Sequence, residues 1–303
     1  MSEPSSLAAF SPATRDWFEH TFAAPTPAQA QGWEAIGRAE HTLIQAPTGS
    51  GKTLAAFLWC LDQLATQPLP TDPKQRCRVL YVSPLKALAH DVERNLKAPL
   101  VGIGLAAQRL NLAPPTIDVA IRTGDTSAAD RRDINRAPPD ILITTPESLY
   151  LLLTSRAEEI LKSVRWVIVD EIHSVAGTKR GAHLALSLER LDHVAEQPVQ
   201  RIGLSATQRP LDEIGRFLGG VDRQVTLVDV GKRKKLDLQV IVPIEDMANP
   251  GLEADAGPTR GGSVLGAEQR AEARNSVWPS IYPRLLELIR ANRSTLIFVN
   301  SRR

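Results

Sequence analysis

One stretch of this chain restricts its possible folds more strongly than any other. It reads Ala46-Pro47-Thr48-Gly49-Ser50-Gly51-Lys52-Thr53. An apolar run at 42–45 precedes it, and apolar residues at helical spacing follow it. A glycine-rich turn between a strand and a helix is typical of a phosphate-binding loop, because its backbone N–H groups converge and the helix N-terminus carries partial positive charge.

This loop predicts a bound nucleoside triphosphate. Lys52 can reach the outer phosphates, and the hydroxyl of Thr53 can hold Mg²⁺. An ordinary glycine-rich loop is the alternative, but the flanking elements and the Gly51-Lys52-Thr53 triplet favour nucleotide binding. The expected nucleotide-binding residues in the loop are Pro47, Thr48, Gly49, Ser50, Gly51, Lys52 and Thr53.

Composition narrows the class of protein. The chain has 303 residues, 43% of them hydrophobic, which is enough for about two domains with buried cores. Its formal net charge is +2, so any nucleic-acid contact must come from a local groove. Cys60 and Cys77 cannot by themselves form a disulfide framework or a zinc site. Because no segment resembles a leader or a membrane span, we expect no membrane partner and a location in the cytosol or the bacterial nucleoid.

Apolar runs alternate with helical patterns along most of the chain. This alternation predicts an α/β fold with a mostly parallel sheet covered by helices. Besides residues 42–45, the expected strands are residues 79–82, 117–121, 141–143, 166–169, 201–204 and 225–228. The expected helices include residues 54–65 and 87–96.

The pattern changes after residue 230. A basic connector at 231–235 leads to an apolar run at 238–242 and a polar stretch at 249–275. A helical pattern at 281–289 and a second apolar run at 295–299 follow. We expect both apolar runs to be strands and the polar stretch to be a flexible or poorly packed insertion.

Three polar residues, Asp170, Glu171 and His173, directly follow the expected strand at 166–169. A carboxylate at the end of such a strand can hold Mg²⁺, directly or through water, opposite a phosphate loop. Glu171 can orient and deprotonate an attacking water. A solvated turn with a structural histidine is the alternative, and the phosphate loop upstream favours the catalytic interpretation.

Several segments, taken in order, resemble the motifs of superfamily 2 helicases. Residues 46–53, 170–173 and 205–207 are similar to motifs I, II and III. Weaker matches are motif Ia at 84–88, motif Ib at 123–125, the next DNA-facing loop at 144–149, the adenine-reading Q-motif at 25–29 and motif IV at 295–303. The Asp-Glu-Ile-His order is of the DExH type, and residues 10–18, 46–57 and 278–283 are similar to Lhr, the large helicase-related family.

The resemblance implies an architecture and an activity. A first RecA-like P-loop motor domain, the helicase ATP-binding domain, is expected at 1–235, and the truncated start of a second at 236–303 with the insertion near 249–275. The implied activity is an ATP-driven motor that moves 3′ to 5′ on single-stranded DNA and unwinds DNA or RNA–DNA duplexes with a single-stranded tail, with a link to DNA repair. ATP and Mg²⁺ are the implied cofactors. The arginine finger lies in the second domain of such motors and cannot be located before Arg303, so we expect the rest of that domain to be missing and the chain alone to unwind little.

Roles in the nucleotide site are carried over position by position. The expected catalytic residues are Glu171 and Lys52, and the expected metal ligands are Thr53 and Asp170. Gln29, with Phe22 as an aromatic partner, is expected to contact adenine, because an amide suits the N6 and N7 edge of that base.

Two further sets are expected to link the nucleotide site to nucleic acid. The coupling residues are His173, Ser205 and Thr207. The nucleic-acid contacts are expected from hydroxyls and backbone N–H groups, which hold phosphates without reading bases. They are Lys86, Thr123, Gly124, Thr145, Pro146, Glu147 and Ser148.

Other interpretations stay open at this point. An ATP-dependent RNA helicase and a non-unwinding module that binds ATP and DNA both agree with the motifs. A small-molecule P-loop kinase agrees with the phosphate loop but does not explain Gln29, residues 145–147 and residues 205–207 together. Ordinary turn chemistry is the alternative for residues 123–125, and a solvated surface residue is the alternative for Lys86.

Overall fold

The computed structural model describes residues 6–206, 208–231, 237–241 and 278–299. The chain divides into two compact units, Met1–Lys232 and Arg233–Arg303. The assignment of 1–235 and 236–303 to two motor domains stays a prediction. The basic connector from residue 232 on, the polar stretch at 249–275 and residues 300–303 lie outside the described residues.

Seven strands, all in the described part of the first unit, form a single sheet. They are β1 (His41–Gln45), β2 (Val79–Val82), β3 (Val119–Arg122), β4 (Ile141–Thr144), β5 (Trp166–Val169), β6 (Gln200–Ser205) and β7 (Val225–Asp229). Their order is β3-β4-β2-β5-β6-β1-β7, and each neighbouring pair is parallel. The expected α/β fold is therefore confirmed, and all seven carboxyl ends lie along one edge.

The first unit contains helices before and between these strands, and the second unit contains a helix. In the described residues they are α1 (Pro12–Thr21), α2 (Pro27–Gly37), α3 (Lys52–Thr66), α4 (Lys86–Arg109), α5 (Ala128–Arg136), α6 (Pro146–Leu153), α7 (Lys179–Val194), α8 (Leu211–Gly219) and α9 (Trp278–Ala291). Short 3₁₀ turns lie at Ser6–Ala9, Pro73–Gln75, Arg156–Leu161 and Ile172–Ser174. None of the helices described combines the length and hydrophobicity that a membrane crossing requires.

Alternate strand residues face opposite sides of the sheet and build two cores. On one side, Ile44, Tyr81 and Ile168 pack with apolar residues of α1 to α4. On the other side, Leu43 and Val167 pack with residues of α5 to α8. Because side chains alternate along a strand, the fully apolar strands can bury both faces under helices.

Helix α4 is longer than the sequence predicts. It continues through Pro99 to Arg109, although proline removes one helical hydrogen bond. On one face beyond Pro99, Ile103, Ala106 and Ala107 recur at helical spacing and are buried. Packing of this face outweighs the lost hydrogen bond, as tertiary contacts often outweigh local preference.

The two strands expected in the second unit are not found in its described part. Residues 237–241 and 295–299 have no regular secondary structure, while α9 confirms the helix expected at 281–289. Val240 is 90% exposed and Phe298 is 87% exposed.

Two glycines of α4 test how closely α1 and α4 pack. A Cβ atom at Gly102 would lie 2.1 Å from Nε1 of Trp17, whereas a Cβ atom at Gly104 would meet nothing within 4 Å. We expect Gly102→Ala to lower the free energy of unfolding by about 1–3 kcal/mol through overpacking. We expect the control, Gly104→Ala, to raise it by roughly 0.5–1 kcal/mol, because alanine is the better helix former. Urea unfolding of both variants measures this, and equal effects would contradict the packing described.

Candidate active site

The candidate site lies along the edge where the strands end. Residues 46–53 follow β1, residues 170–173 follow β5, and Ser205 is the last residue of β6. Because β6 pairs with both β1 and β5, these three segments are neighbours. The loops after β2, β3 and β4 form the other half of the edge and carry the expected nucleic-acid residues.

The loop after β1 has the backbone that a phosphate cradle requires. Gly49 and Gly51 have φ values of 81° and 79°, in the left-handed region that favours glycine. Gly51 is the N-cap of α3, so Lys52 and Thr53 occupy the first turn of that helix. Thr48 and Gly49 are exposed, and the N-terminus of α3 therefore opens onto a solvent-accessible loop.

The segment at 26–29 is joined directly to this loop. Thr26 and Gln29 form a capping box at the start of α2, in which the backbone N–H of Thr26 donates to Oε1 of Gln29 over 2.8 Å. The hydroxyl of Thr26 donates to the carbonyl of Ser50 over 2.9 Å, and Nε2 of Gln29 donates to the carbonyl of Gly51 over 3.5 Å. Gln29 is buried, so its contact with adenine stays a prediction that depends on the second Nε2 hydrogen.

Phe22 lies at the end of α1 and is 38% exposed. Its ring packs against Phe18, with 4.8 Å between the ring centroids, and meets Trp17 edge-on. Because the ring is partly exposed, it is accessible to a base, and its expected contact with adenine stays a prediction.

Lys52 and Glu171 meet between the phosphate loop and the loop after β5. Nζ of Lys52 lies 3.8 Å from Oε1 of Glu171 and donates to the carbonyl of Ala46 over 3.5 Å. Glu171 has φ 45° and ψ 38°, a left-handed conformation that costs a residue with a side chain about 1–3 kcal/mol. Such strain is typical of a residue whose side-chain position serves a site.

Asp170 is buried at the end of β5. Its Oδ2 accepts a hydrogen bond from the hydroxyl of Tyr81, and its Oδ1 accepts one from the backbone N–H of Glu171 over 2.9 Å. Burial raises the pKa of Asp170, and the bond from Tyr81 and the charge of Lys52 lower it in part. A positive charge beside this carboxylate would stabilise its ionised form.

His173 links Glu171 to the loop after β6. Its Nδ1 accepts a hydrogen bond from the backbone N–H of Ala206 over 3.1 Å, and its Nε2 lies 3.3 Å from Oε2 of Glu171. Since Nδ1 accepts, the ring hydrogen is on Nε2 and faces the carboxylate. The hydroxyl of Ser205 donates to the carbonyl of Ala206, and its expected coupling role stays a prediction. Thr207 lies outside the described residues.

The residues present fit a magnesium nucleotide. No three His, Cys, Asp or Glu side chains within the described ranges lie together as metal ligands. Mg²⁺ in nucleotide sites takes one or two protein oxygens and completes its shell with phosphate and water. Asp170 and Thr53 offer such oxygens, and the buried hydroxyl of Ser50 has no hydrogen-bond partner in the described structure.

The other half of the edge brings together the loops after β2 and β3. Lys86 begins α4, and its Nζ lies 2.6 Å from Oδ1 of Asp125. A Cβ atom at Gly124 would lie 3.3 Å from that Nζ. Thr123 is buried, and its hydroxyl accepts the backbone N–H of Asp125, while Arg131 donates to the carbonyl of Gly124 over 2.8 Å.

The loop after β4 presents a helix N-terminus. Thr145 caps α6, and its buried hydroxyl accepts the backbone N–H of Ser148. Pro146 is the first residue of α6, and Glu147 pairs with Arg180 of α7. The hydroxyls of Thr145 and Ser148 thus have structural partners, so phosphate contacts here would come from the backbone N–H groups of the helix start.

Three residues in these contacts were missed by sequence reasoning. Thr26 ties α2 to the phosphate loop, Arg131 holds the turn after β3, and Tyr81 contacts Asp170. Tyr81 has a visible signal in the sequence, since it is a hydroxyl-bearing residue in an apolar strand, and Thr26 lies in the motif-like segment at 25–29 and in a capping pattern with Gln29.

Comparison with known proteins identifies the family. The model of the DEAD/DEAH box helicase family matches residues 26–214, which is more than half of the chain. The chain belongs to the DEAD/DEAH box helicase family. The expected resemblance to superfamily 2 helicases is therefore confirmed.

Curated relatives carry the name Lhr. The chain is 54% identical over 297 residues to the Lhr helicase/probable uracil glycosylase of Mycolicibacterium smegmatis, with 98% of this chain and 18% of that protein aligned. It is 48% identical over 306 residues to the Lhr helicase/uracil glycosylase of Escherichia coli K12, with 99% and 19% aligned. The expected similarity to Lhr is confirmed, and the chain spans about a fifth of the length of these relatives.

A solved structure supports the same conclusion. The Mycobacterium smegmatis helicase Lhr bound to single-stranded DNA and AMP-PNP matches 99% of this chain and 35% of that chain. The TM-score is 0.78 and the sequence identity is 52%. The expected RecA-like helicase fold is thus confirmed.

Two glycines of the phosphate loop test how it packs. Both have positive φ, but a Cβ atom at Gly51 would lie 2.7 Å from Nε2 of Gln29, whereas one at Gly49 would meet nothing within 4 Å. We expect Gly49→Ala to cost about 1–2 kcal/mol of unfolding free energy, the cost of a left-handed alanine. Gly51→Ala should cost more, because Gln29 must also move. Thermal unfolding of the two variants compares these costs, and an equal loss would show that Gln29 does not restrain the loop.

Proposed function

We propose that this chain carries the ATP-binding motor domain of a nucleic-acid helicase. The observation that carries the proposal is the convergence of Lys52, which follows β1, with Asp170, Glu171 and His173, which follow β5. The left-handed glycines of the phosphate loop and the family match support it.

In this proposal Glu171 activates the attacking water. The carboxylate takes one proton from the water while the water oxygen bonds to the γ-phosphorus of ATP. The bond from that phosphorus to the bridging oxygen breaks, and ADP leaves with the electron pair. Lys52 and the first backbone N–H groups of α3 hold the phosphate charge, and Gln29 with Phe22 faces the adenine.

Asp170 and the hydroxyl of Thr53 would hold Mg²⁺. That ion, when bound, neutralises charge on the phosphates. Asp170 supports its binding because the carboxylate is buried and already oriented by two hydrogen bonds.

The loops after β2, β3 and β4 form the proposed nucleic-acid surface. It uses Lys86, the turn at Thr123 and Gly124, and the N-terminal N–H groups of α6 that follow Thr145. Contacts of this kind hold phosphates and do not read bases, as a motor that moves along a strand requires. His173 accepts a hydrogen bond from Ala206, which directly follows β6 and Ser205, and in this proposal His173, Ser205 and Thr207 couple the nucleotide to nucleic acid.

The relatives support the finer assignment. The solved Lhr structure contains single-stranded DNA, and we infer that single-stranded DNA or a duplex with a single-stranded tail is the substrate. The proposal also includes movement from 3′ to 5′ and unwinding of DNA or RNA–DNA duplexes. It further includes a link to DNA repair and a location in the cytosol or the nucleoid. DNA-stimulated hydrolysis without RNA stimulation would separate it from an RNA helicase.

The first test removes the phosphate-binding amine. Lys52→Ala should weaken magnesium-ATP binding by about 10- to 100-fold, because a hydrogen bond to a charged group contributes roughly 1.5–3 kcal/mol. Lys74→Ala, which alters an exposed lysine before β2, is the matched control. Fluorescence titration with a labelled ATP analogue measures the affinity. A folded Lys52→Ala protein with unchanged affinity would refute the nucleotide site.

A second test separates binding from hydrolysis. Glu171→Gln keeps the shape of the side chain but removes the proton acceptor, so ATP should still bind while turnover falls by at least about 100-fold. Glu158→Gln alters an exposed glutamate and should leave turnover unchanged. Phosphate release is measured with and without single-stranded DNA. Near-normal turnover by Glu171→Gln would assign the base to another residue.

A third test concerns unwinding, because the chain spans only about a fifth of the length of its Lhr relatives. An arginine supplied to the γ-phosphate can raise hydrolysis by about 10³–10⁵ in related phosphate-transfer systems. We propose that the 303-residue chain binds ATP and nucleic acid but unwinds little, compared with a version extended to the length of its relatives. Strand displacement by both proteins is the measurement. Robust unwinding by the 303-residue chain alone would show that it already contains every group required.

A further inference from the structure

A buried hydroxyl lies in the middle of the sheet. Tyr81 has 0% exposure, and the rest of β2 consists of Val79, Leu80 and Val82. A buried hydroxyl without a partner costs about 1–3 kcal/mol, so this one needs an acceptor. Its acceptor is Oδ2 of Asp170 on the neighbouring strand loop.

The sheet register explains how Tyr81 reaches that carboxylate. Tyr81 pairs with Ile168 of β5, and Asp170 lies two residues further along the same strand direction. The backbone N–H of Asp170 donates to the carbonyl of Val82 over 3.0 Å, which holds the two segments together. Side chains two residues apart on one strand point to the same face, so a long side chain at 81 reaches the carboxylate diagonally.

The tyrosine ring is itself held in place. It stacks on Phe57, with 4.8 Å between ring centroids and 22° between ring planes. Phe57 belongs to α3, the helix that begins at Lys52. The direction of the hydroxyl is therefore set by the same helix that carries the phosphate-binding residues.

The two oxygens of Asp170 have different donors. Oδ1 accepts the backbone N–H of the next residue, Glu171, and Oδ2 accepts the hydroxyl of Tyr81. Two donors at the two oxygens fix the rotation of the carboxylate plane. With only the backbone donor, the plane could turn about its bond to the Cβ atom.

We propose that Tyr81 is a positioning residue, whose hydroxyl orients the carboxylate of Asp170 toward the magnesium nucleotide. This inference rests on the proposed role of Asp170 as a metal ligand. Groups that orient metal ligands commonly contribute about 10- to 100-fold to metal affinity. A purely structural tyrosine would instead affect nucleotide binding equally with and without the metal.

The test is a Mg²⁺ titration of nucleotide binding. Tyr81→Phe keeps the ring and its stack on Phe57 and removes only the hydroxyl. Binding of a fluorescent, non-hydrolysable ATP analogue is followed as Mg²⁺ is added, and again in EDTA. We expect the half-saturating Mg²⁺ concentration to rise by about 10-fold or more, while the affinity in EDTA stays at the wild-type value.

Tyr150→Phe is the matched control, since Tyr150 lies on α6 and packs against His183. This variant should titrate like wild type. An unchanged Mg²⁺ midpoint in folded Tyr81→Phe, or an equal loss of affinity in EDTA, would overturn the positioning role. If Tyr81→Phe does not fold, Phe57→Leu provides the second variant, because it frees the ring but keeps the hydroxyl. A higher midpoint is expected there too, and a wild-type midpoint in a folded protein would refute the role.

Lys52→Ala separates the two levels of the proposal. If Lys52→Ala leaves nucleotide affinity unchanged, the nucleotide site itself is wrong. If Lys52→Ala weakens binding as expected while Tyr81→Phe titrates like wild type, the site stands and only the role of Tyr81 fails.

Discussion

The parallel pairing of β6 with both β1 and β5 is the interaction on which the candidate site depends. Gln45 pairs with Ser205, so β1 and β6 end together, and Val169 pairs with Gly203, so β5 ends two residues earlier. Adjacent strands are about 4.8 Å apart, so β1 and β5 lie about 10 Å apart with β6 between them. An extended lysine side chain can span part of such a gap, and Lys52 meets Glu171 there.

The strand order separates the carboxyl-end edge of the sheet into a nucleic-acid half and a nucleotide half. β2 is the boundary, because it pairs with β4 of the nucleic-acid half and with β5 of the nucleotide half. The two halves belong to one continuous sheet, since the hydrogen bonds of β2 to β4 and to β5 connect them. Tyr81, on this boundary strand, is the side chain that extends from one half into the other.

Much of the fold could be predicted because its strands are buried on both faces and therefore read as continuous apolar runs. Residues 79–82 and 166–169 match β2 and β5 at both ends. β3 begins two residues later than expected, and α4 continues past Pro99, because packing decides both boundaries. The bond from Tyr81 to Asp170 joins residues far apart in the chain, and the left-handed backbone of Glu171 is a conformation that its residue type does not favour, so no local pattern predicts either.

The left-handed backbone of Glu171 places stability and chemistry in opposition at one position. Glycine adopts such a conformation without strain, and asparagine tolerates it better than most residues do. Either residue at 171 would relieve strain in the folded chain and would also delete the carboxylate. A mutant library selected only for heat resistance should therefore enrich both residues at this position. Selection for stability alone would therefore replace Glu171, the proposed general base, unless ATP hydrolysis were selected at the same time.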